Sequence, residues 1–185
     1  MGKKKRYFLT FIDDHSKKVF VYFLHSKDQA KQCTIDFVNM VDTQTESKVK
    51  VIRSDNGTEY CNSQLETFLR SRGIIHQSSI RYSPQQNGTA ERMNRTILDK
   101  ARAMIHDVNA DERMWAEAVN TAVYLINRSP AKKLRGKCPE QVWYSHERID
   151  LSHLRIFGCD AYVHIPDQKR KKFDSKCQLL KFVGY

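Results

Sequence analysis

The hydrophobic period of this chain changes part-way along it, and that change limits the fold. The first part carries short apolar runs rich in aromatic and β-branched residues: Tyr7 to Ile12, Val19 to Leu24, Lys48 to Arg53 and Ile74 to Gln77. The middle carries stripes at spacings of three and four: Ala90, Met93, Ile97, Ala101 and Met104, then Trp115, Ala118, Val119, Ala122 and Ile126. Short runs bounded by turn residues read as strands, and a three–four spacing reads as one face of a helix. The pattern is therefore α/β. The first two runs, separated by Asp13-Asp14-His15-Ser16, read as a hairpin. Ser26 is placed to cap a helix over Lys27 to Val41, with Ala30, Cys33 or Thr34, Phe37, Val38 and Val41 on one face. A short helix over Ser63 to Arg72 ends at Gly73, a residue suited to the left-handed position after a helix. A polar loop, Arg81 to Gly88, leads into two long helices, Thr89 to His106 and Glu112 to Asn127. The unbroken run Thr121 to Ile126 requires burial on more than one side of the second.

After Ser129-Pro130 the texture changes. Lys132 to Lys137 is a basic linker, Pro139 to Tyr144 fits one helical turn, and Leu154 to Ile165 and Leu179 to Tyr185 read as strands. The expected layout is a first domain over residues 1–130, a linker over 131–152 and a small β segment over 153–185.

Composition narrows the partners. The 185 residues, 40% of them hydrophobic, can bury one sizeable core, and 7 Gly with 4 Pro exclude collagen-like and mostly disordered chains. Lys and Arg number 32 against 21 Asp and Glu, a formal net charge of +11. That excess points first to nucleic acid and second to an anionic membrane surface. The longest apolar run, Val19 to Leu24, falls far short of the ~20 residues that span a bilayer. The stretch after the basic start is shorter than a signal h-region of about 7–15 residues. Position 6 is Arg6, not the Ser or Thr that follows a myristoylated Gly2. The expectation is a soluble, intracellular protein with no membrane partner. Cys33, Cys61, Cys138, Cys159 and Cys177 are odd in number, widely spaced and without a CxxC, which argues against a disulfide framework and a zinc site.

Two carboxylates stand out by position. Asp55 directly follows an expected strand, in Val51-Ile52-Arg53-Ser54-Asp55-Asn56-Gly57, and Glu91 lies in the first turn of an expected helix. A carboxylate at a strand end and another on a nearby helix can together hold Mg²⁺, which wants hard oxygen ligands and keeps several waters. The same residues have structural uses: Asp55 can open an Asx turn, and Glu91 suits a helix N-terminus.

The wording around these residues carries a resemblance. Ile52-Arg53-Ser54-Asp55-Asn56-Gly57-Thr58-Glu59-Tyr60 and the stretch from Tyr82-Ser83-Pro84-Gln85-Gln86-Asn87-Gly88 to Glu91-Arg92-Met93-Asn94-Arg95-Thr96 resemble the integrase core of copia-type long-terminal-repeat retrotransposons. So do Thr10-Phe11-Ile12-Asp13-Asp14-His15-Ser16 and Asn127-Arg128-Ser129-Pro130. Leu154 to Tyr185 resembles part of the SH3-like module that follows that core in the polyprotein. The resemblance implies an RNase H-like mixed sheet with flanking helices and a DDE polynucleotidyl transferase. In that family two Asp and one Glu bind two Mg²⁺ or Mn²⁺, which drive 3′-end processing and strand transfer into target DNA. Asp55 matches the second carboxylate and Glu91 the third. The family's first Asp sits on a strand upstream of Arg6-Tyr7-Phe8, where this sequence has only Met1 to Lys5. The expectation is a fragment whose first strand is missing and whose C-terminus falls within the SH3-like module. Asp13 and Asp14 match the turn after the family's second strand and are expected to be structural.

Arg92 and Arg95, with Asn94, are expected close to Glu91 on one side of the helix, away from the Met93–Ile97 stripe, where phosphates of a terminal-repeat DNA end would lie. The basic clusters Lys3 to Arg6, Lys132 to Lys137 and Lys169 to Lys172 suit phosphate contact or nuclear import. Expected partners are terminal-repeat and target DNA and a second copy of the chain, with the nucleus as location. Two functions stay open: DNA integration by descent, impaired in this fragment, and a catalytically inactive nucleic-acid-binding remnant.

Overall fold

A computed structural model describes residues 5–55, 63–78 and 88–185. The chain divides into two compact units, one of Met1–Phe11 with Phe20–Asn94 and one of Ile12–Val19 with Arg95–Tyr185.

In the first unit, strands β1 (Tyr7–Ile12) and β2 (Val19–Leu24) form the expected antiparallel hairpin, and α1 (Gln29–Gln44) packs on it. Phe37 of α1 stacks flat on Phe11 at 4.1 Å between ring centroids and meets Phe20 edge-on at 5.2 Å. The buried face of α1 is Ala30, Thr34, Val38 and Val41. Thr34 is the buried choice over Cys33 because its hydroxyl is satisfied by Ala30 O at 2.8 Å. The helix starts later than the Ser26 cap predicts. Ser26 bonds the Asp28 side chain, while Gln29 Oε1 accepts the main-chain N–H groups of His25 and Ser26.

A second cluster buries Val38, Leu65, Leu69 and Ile74, with Ile35, Val49, Ile52 and Phe68 packed against it. It joins α1 to α2 (Ser63–Ser71) and to the parallel pair β3 (Val51–Ser54) and β4 (Ile75–Ser78). Strand β3 begins at Val51, not Lys48, because its partner begins only at Ile75, after the Gly73 turn. Gly73 has φ +68°. Its N–H reaches Arg70 O and the next N–H reaches Leu69 O, closing α2 with the two bonds of a Schellman motif. Among the described residues the β1–β2 and β3–β4 pairs are separate sheets, with no described strand joining them.

Helix α3 (Gly88–Asp107) runs from the first unit into the second, where Ile97 and Ala101 are buried. A 3₁₀ turn, Glu112–Met114, capped by the Asp111 carboxylate on Arg113 N at 2.8 Å, replaces the expected first turn of the next helix. Helix α4 (Trp115–Arg128) then buries Ala116, Ala118, Val119, Thr121, Ala122, Val123 and Asn127, residues spread over more than one face. Short helix α5 (Pro139–Tyr144) follows.

The last hairpin, β5 (Asp160–His164) with β6 (Cys177–Lys181), is shorter than its apolar runs suggest. Residues Leu154 to Cys159 turn instead of extending, and Gly158 at φ +79° brings its N–H to Phe182 O at 2.7 Å. Tyr185 leaves the strand to stack on Tyr124 of α4 at 4.2 Å, with its hydroxyl bonded to both main-chain groups of Arg155.

Candidate active site

The end of β3 is tied to β4. Arg53 donates to Gln77 Oε1 across the strand pair at 3.1 Å. Ser54, only 8% exposed, closes the strand with its Oγ at 2.9 Å from His76 Nε2 and 3.0 Å from the carbonyl oxygen of Asp55. Asp55 is exposed immediately beyond. The Asn56-Gly57 turn lies outside the described residues, as does the polar loop up to Asn87.

Glu91 is exposed in the first turn of α3, where a carboxylate also favours the positive end of the helix dipole. The turn is anchored from both sides. Asn94 is half-buried and accepts a hydrogen bond from Thr10 Oγ1 of β1 at 2.8 Å. Arg92 folds back over Gly88, so a Cβ there would meet its guanidinium at 3.4 Å. Arg92 and Arg95 are exposed as expected, but Asn94 does not share their outward side: it is half-buried because its amide oxygen is taken by Thr10. Strand end and helix start, carrying Asp55 and Glu91, therefore belong to one unit.

Asp13 and Asp14 behave as structural residues. Asp13 Oδ2 accepts both the N–H and the hydroxyl of Ser16 at 2.6 Å, and its main chain pairs with Lys17 and Lys18. This shapes the hairpin turn, with Lys17 at φ +60°. Asp14 pairs with Lys17 at 2.5 Å on the surface. Among the described residues there is no group of three or more His, Cys, Asp or Glu able to hold a metal. Asp55 and Glu91 supply carboxylate oxygens, the donors that Mg²⁺ and Mn²⁺ prefer, and waters complete such shells. The donor chemistry of these two residues fits those ions.

Residues 1–84 match the integrase core domain family, and residues 159–185 the retroviral polymerase SH3-like domain. Over all 185 residues the chain is 46% identical to the retrovirus-related Pol polyprotein from transposon TNT 1-94 of Nicotiana tabacum, covering 14% of that protein. The chain belongs with the integrase cores of retrotransposon Pol polyproteins. It is also 30% identical over 180 residues to the Pol polyprotein from transposon RE2 of Arabidopsis thaliana, spanning 97% of this chain and 12% of that one. The integrase segment thus corresponds to about one-seventh of such a relative's length at most. Asp55 lies within the matched core stretch and Glu91 just beyond it.

Solved structures agree on the fold. The catalytic core domain of BIV integrase superposes with a TM-score of 0.56 at 20% identity, covering 76% of this chain and 86% of that one. The simian T-cell lymphotropic virus intasome, in complex with PP2A regulatory subunit B56 gamma, gives 0.62 at 16% identity, over 92% of this chain and 59% of its own. The HTLV-2 integrase catalytic core, solved with magnesium in a trimeric form, gives 0.54 at 20% identity, over 72% and 81%. The integrase segment has their RNase H-like architecture.

Several working residues left no readable signal in the sequence. Asn127, Arg128 and Ser129 were visible as motif letters without a task. In the structure Asn127 bonds both main-chain groups of Val19 at 2.8 and 2.7 Å. Arg128 joins Glu140 at 3.1 Å, a carboxylate shared with the buried Lys18 at 2.8 Å. Ser129 bonds Leu125 O at 2.7 Å. His76, which supports the strand end, reads as an ordinary strand residue, and Thr10, which holds Asn94, as a motif letter without a task.

Proposed function

We propose that this chain serves, within a longer copia-type Pol polyprotein, as an integrase that joins DNA ends to target DNA by metal-dependent polynucleotidyl transfer. The observation that carries the reading is the chain's 46% identity, over all of its residues, to a retrotransposon Pol polyprotein, and it is supported by Asp55 lying just past a strand end and Glu91 in the first turn of a helix. Asp55 and Glu91 would hold Mg²⁺ or Mn²⁺. Bound there, the ions supply activation of an attacking oxygen and stabilisation of a leaving one. Arg92 and Arg95, exposed on the helix that bears Glu91, neutralise backbone phosphates of the terminal-repeat end. Lys132, Lys133, Arg135 and Lys137 are exposed and add phosphate contacts or a nuclear import signal. The reading includes a nuclear location, self-association, and a division into a core over 1–130, a linker over 131–152 and a partial SH3-like module over 153–185.

One observation favours a second reading. Asp13, another carboxylate of the family motifs, is engaged by Ser16 in the hairpin turn. On this second reading the basic surface binds nucleic acid without joining it. The test is strand transfer of a terminal-repeat DNA end in Mg²⁺ or Mn²⁺, with this chain and with one extended upstream by a strand bearing an Asp. Integrase function requires joining by the extended chain that Asp55→Asn and Glu91→Gln each abolish. DNA binding without joining by either chain supports the second reading.

A further inference from the structure

The hydroxyl of Ser54 stands between two groups, and it has one proton to give. The carbonyl oxygen of Asp55, at 3.0 Å, can only accept. If Ser54 satisfies it, the contact of 2.9 Å with His76 Nε2 needs its hydrogen from the imidazole. We infer that His76 is a positioning residue, whose Nε2–H, acting through the Ser54 hydroxyl, fixes the main chain of Asp55. The inference rests on the reading of Asp55 as a metal-binding carboxylate.

The surroundings support a relay built for placement. Ser54 and Ser78 are the last paired residues of the parallel strands, so Asp55 is the first residue past the ladder. His76 stands opposite Ile52 in the register, two residues back from the strand end, and reaches forward to Ser54. Arg53 and Gln77 tie the neighbouring pair side by side. Ser54 is buried and His76 half-buried, which shields the link from competing water. Groups that orient a ligand from behind set its affinity without touching the ion.

The test uses the full chain. Long-range ¹⁵N–¹H correlation of the histidine rings is expected to show neutral His76 in the Nε2–H form. Mn²⁺ affinity, read from free-ion electron paramagnetic resonance, is measured for the parent and for His76→Leu, Ser54→Ala, His76→Gln and Asp55→Asn, with far-UV circular dichroism to verify folding. His76→Leu and Ser54→Ala are expected to weaken Mn²⁺ binding by about tenfold, the lower end for outer-shell partners. His76→Gln, which keeps a donor at Nε2, is expected to stay close to the parent. If His76→Leu does not fold, Ser54→Ala, which deletes one oxygen, reads the same link. If Asp55→Asn abolishes binding while His76→Leu and Ser54→Ala bind like the parent, or if His76 is found in the Nδ1–H form, the inference is overturned and the site reading stands. If Asp55→Asn leaves Mn²⁺ affinity unchanged, the site reading itself fails and the inference falls with it.

Discussion

Asn127→Leu removes the side chain that satisfies both main-chain groups of a buried strand residue. Val19, the first residue of β2, is 1% exposed, and Asn127 on the last turn of α4 is 5% exposed. Asn127 Oδ1 accepts from Val19 N at 2.8 Å, and its Nδ2 donates to Val19 O at 2.7 Å. The two ends of the amide match the donor and the acceptor of one peptide position, a pairing that Leu, similar in volume, cannot make. Each orphaned buried group costs about 1–3 kcal/mol, so the pair together is worth about 2–6 kcal/mol, against a whole-domain stability of about 5–15 kcal/mol. Asn127→Asp should be as damaging, since it keeps the acceptor for Val19 N–H but sets a carboxylate oxygen against Val19 O. The assay is urea unfolding followed by far-UV circular dichroism, with amide exchange of Val19 read in parallel. Both variants are expected to lower the midpoint and to raise exchange at Val19. A midpoint shift for Asn127→Leu worth less than about 0.5 kcal/mol, the range of ordinary surface changes, would refute the reasoning.

Glu140→Gln leaves Lys18 and Arg128 without their shared carboxylate, and their side chains are only 7% and 17% exposed. Breaking a buried pair from one side costs about 3–5 kcal/mol, so chemical unfolding should detect it easily, whereas the exposed Glu147→Gln should be near neutral. Gly158→Ala would force a left-handed backbone at φ +79° and set its Cβ 2.6 Å from Val108. Strain and overpacking together should cost roughly 2–5 kcal/mol in a thermal melt, compared with about 1–2 kcal/mol for Gly73→Ala, where only the backbone objects. Burial, with Asp36 adding to it, pushes the Cys33 thiol up to about 11. The unfolded chain loses that proton near pH 8.5 and the folded chain only near the raised value, so stability should fall as pH rises through that window. Cys33→Ser, followed by urea midpoints across the same range, should flatten the slope, and an unchanged slope would contradict the assignment. DNA binding, if carried by the basic surface, should weaken linearly in log affinity with log salt at a slope of about −0.9 per phosphate contact. Affinity indifferent to salt would exclude that mode.

Local signals were legible in the chain wherever one residue or one period carries the information. The hairpin of β1 and β2, the Schellman stop at Gly73, and the structural duty of Asp13 were readable because each depends on neighbours within a few positions. The candidate pair Asp55 and Glu91 was legible as motif and position, a strand end and a helix start. What the sequence could not supply was partnership across long separations. Strand β3 begins at Val51 because β4 begins at Ile75, and the apolar run from Leu154 turns at Gly158 because its N–H is claimed by Phe182. Asn127 finds Val19 across 108 positions, Thr10 finds Asn94 across 84, and Lys18 finds Glu140 across 122. None of these residue types announces its partner, since an amide, a hydroxyl or an ammonium bonds equally well to water. Only burial in the tertiary structure removes the water, and with it every alternative except the groups that the fold brings within reach.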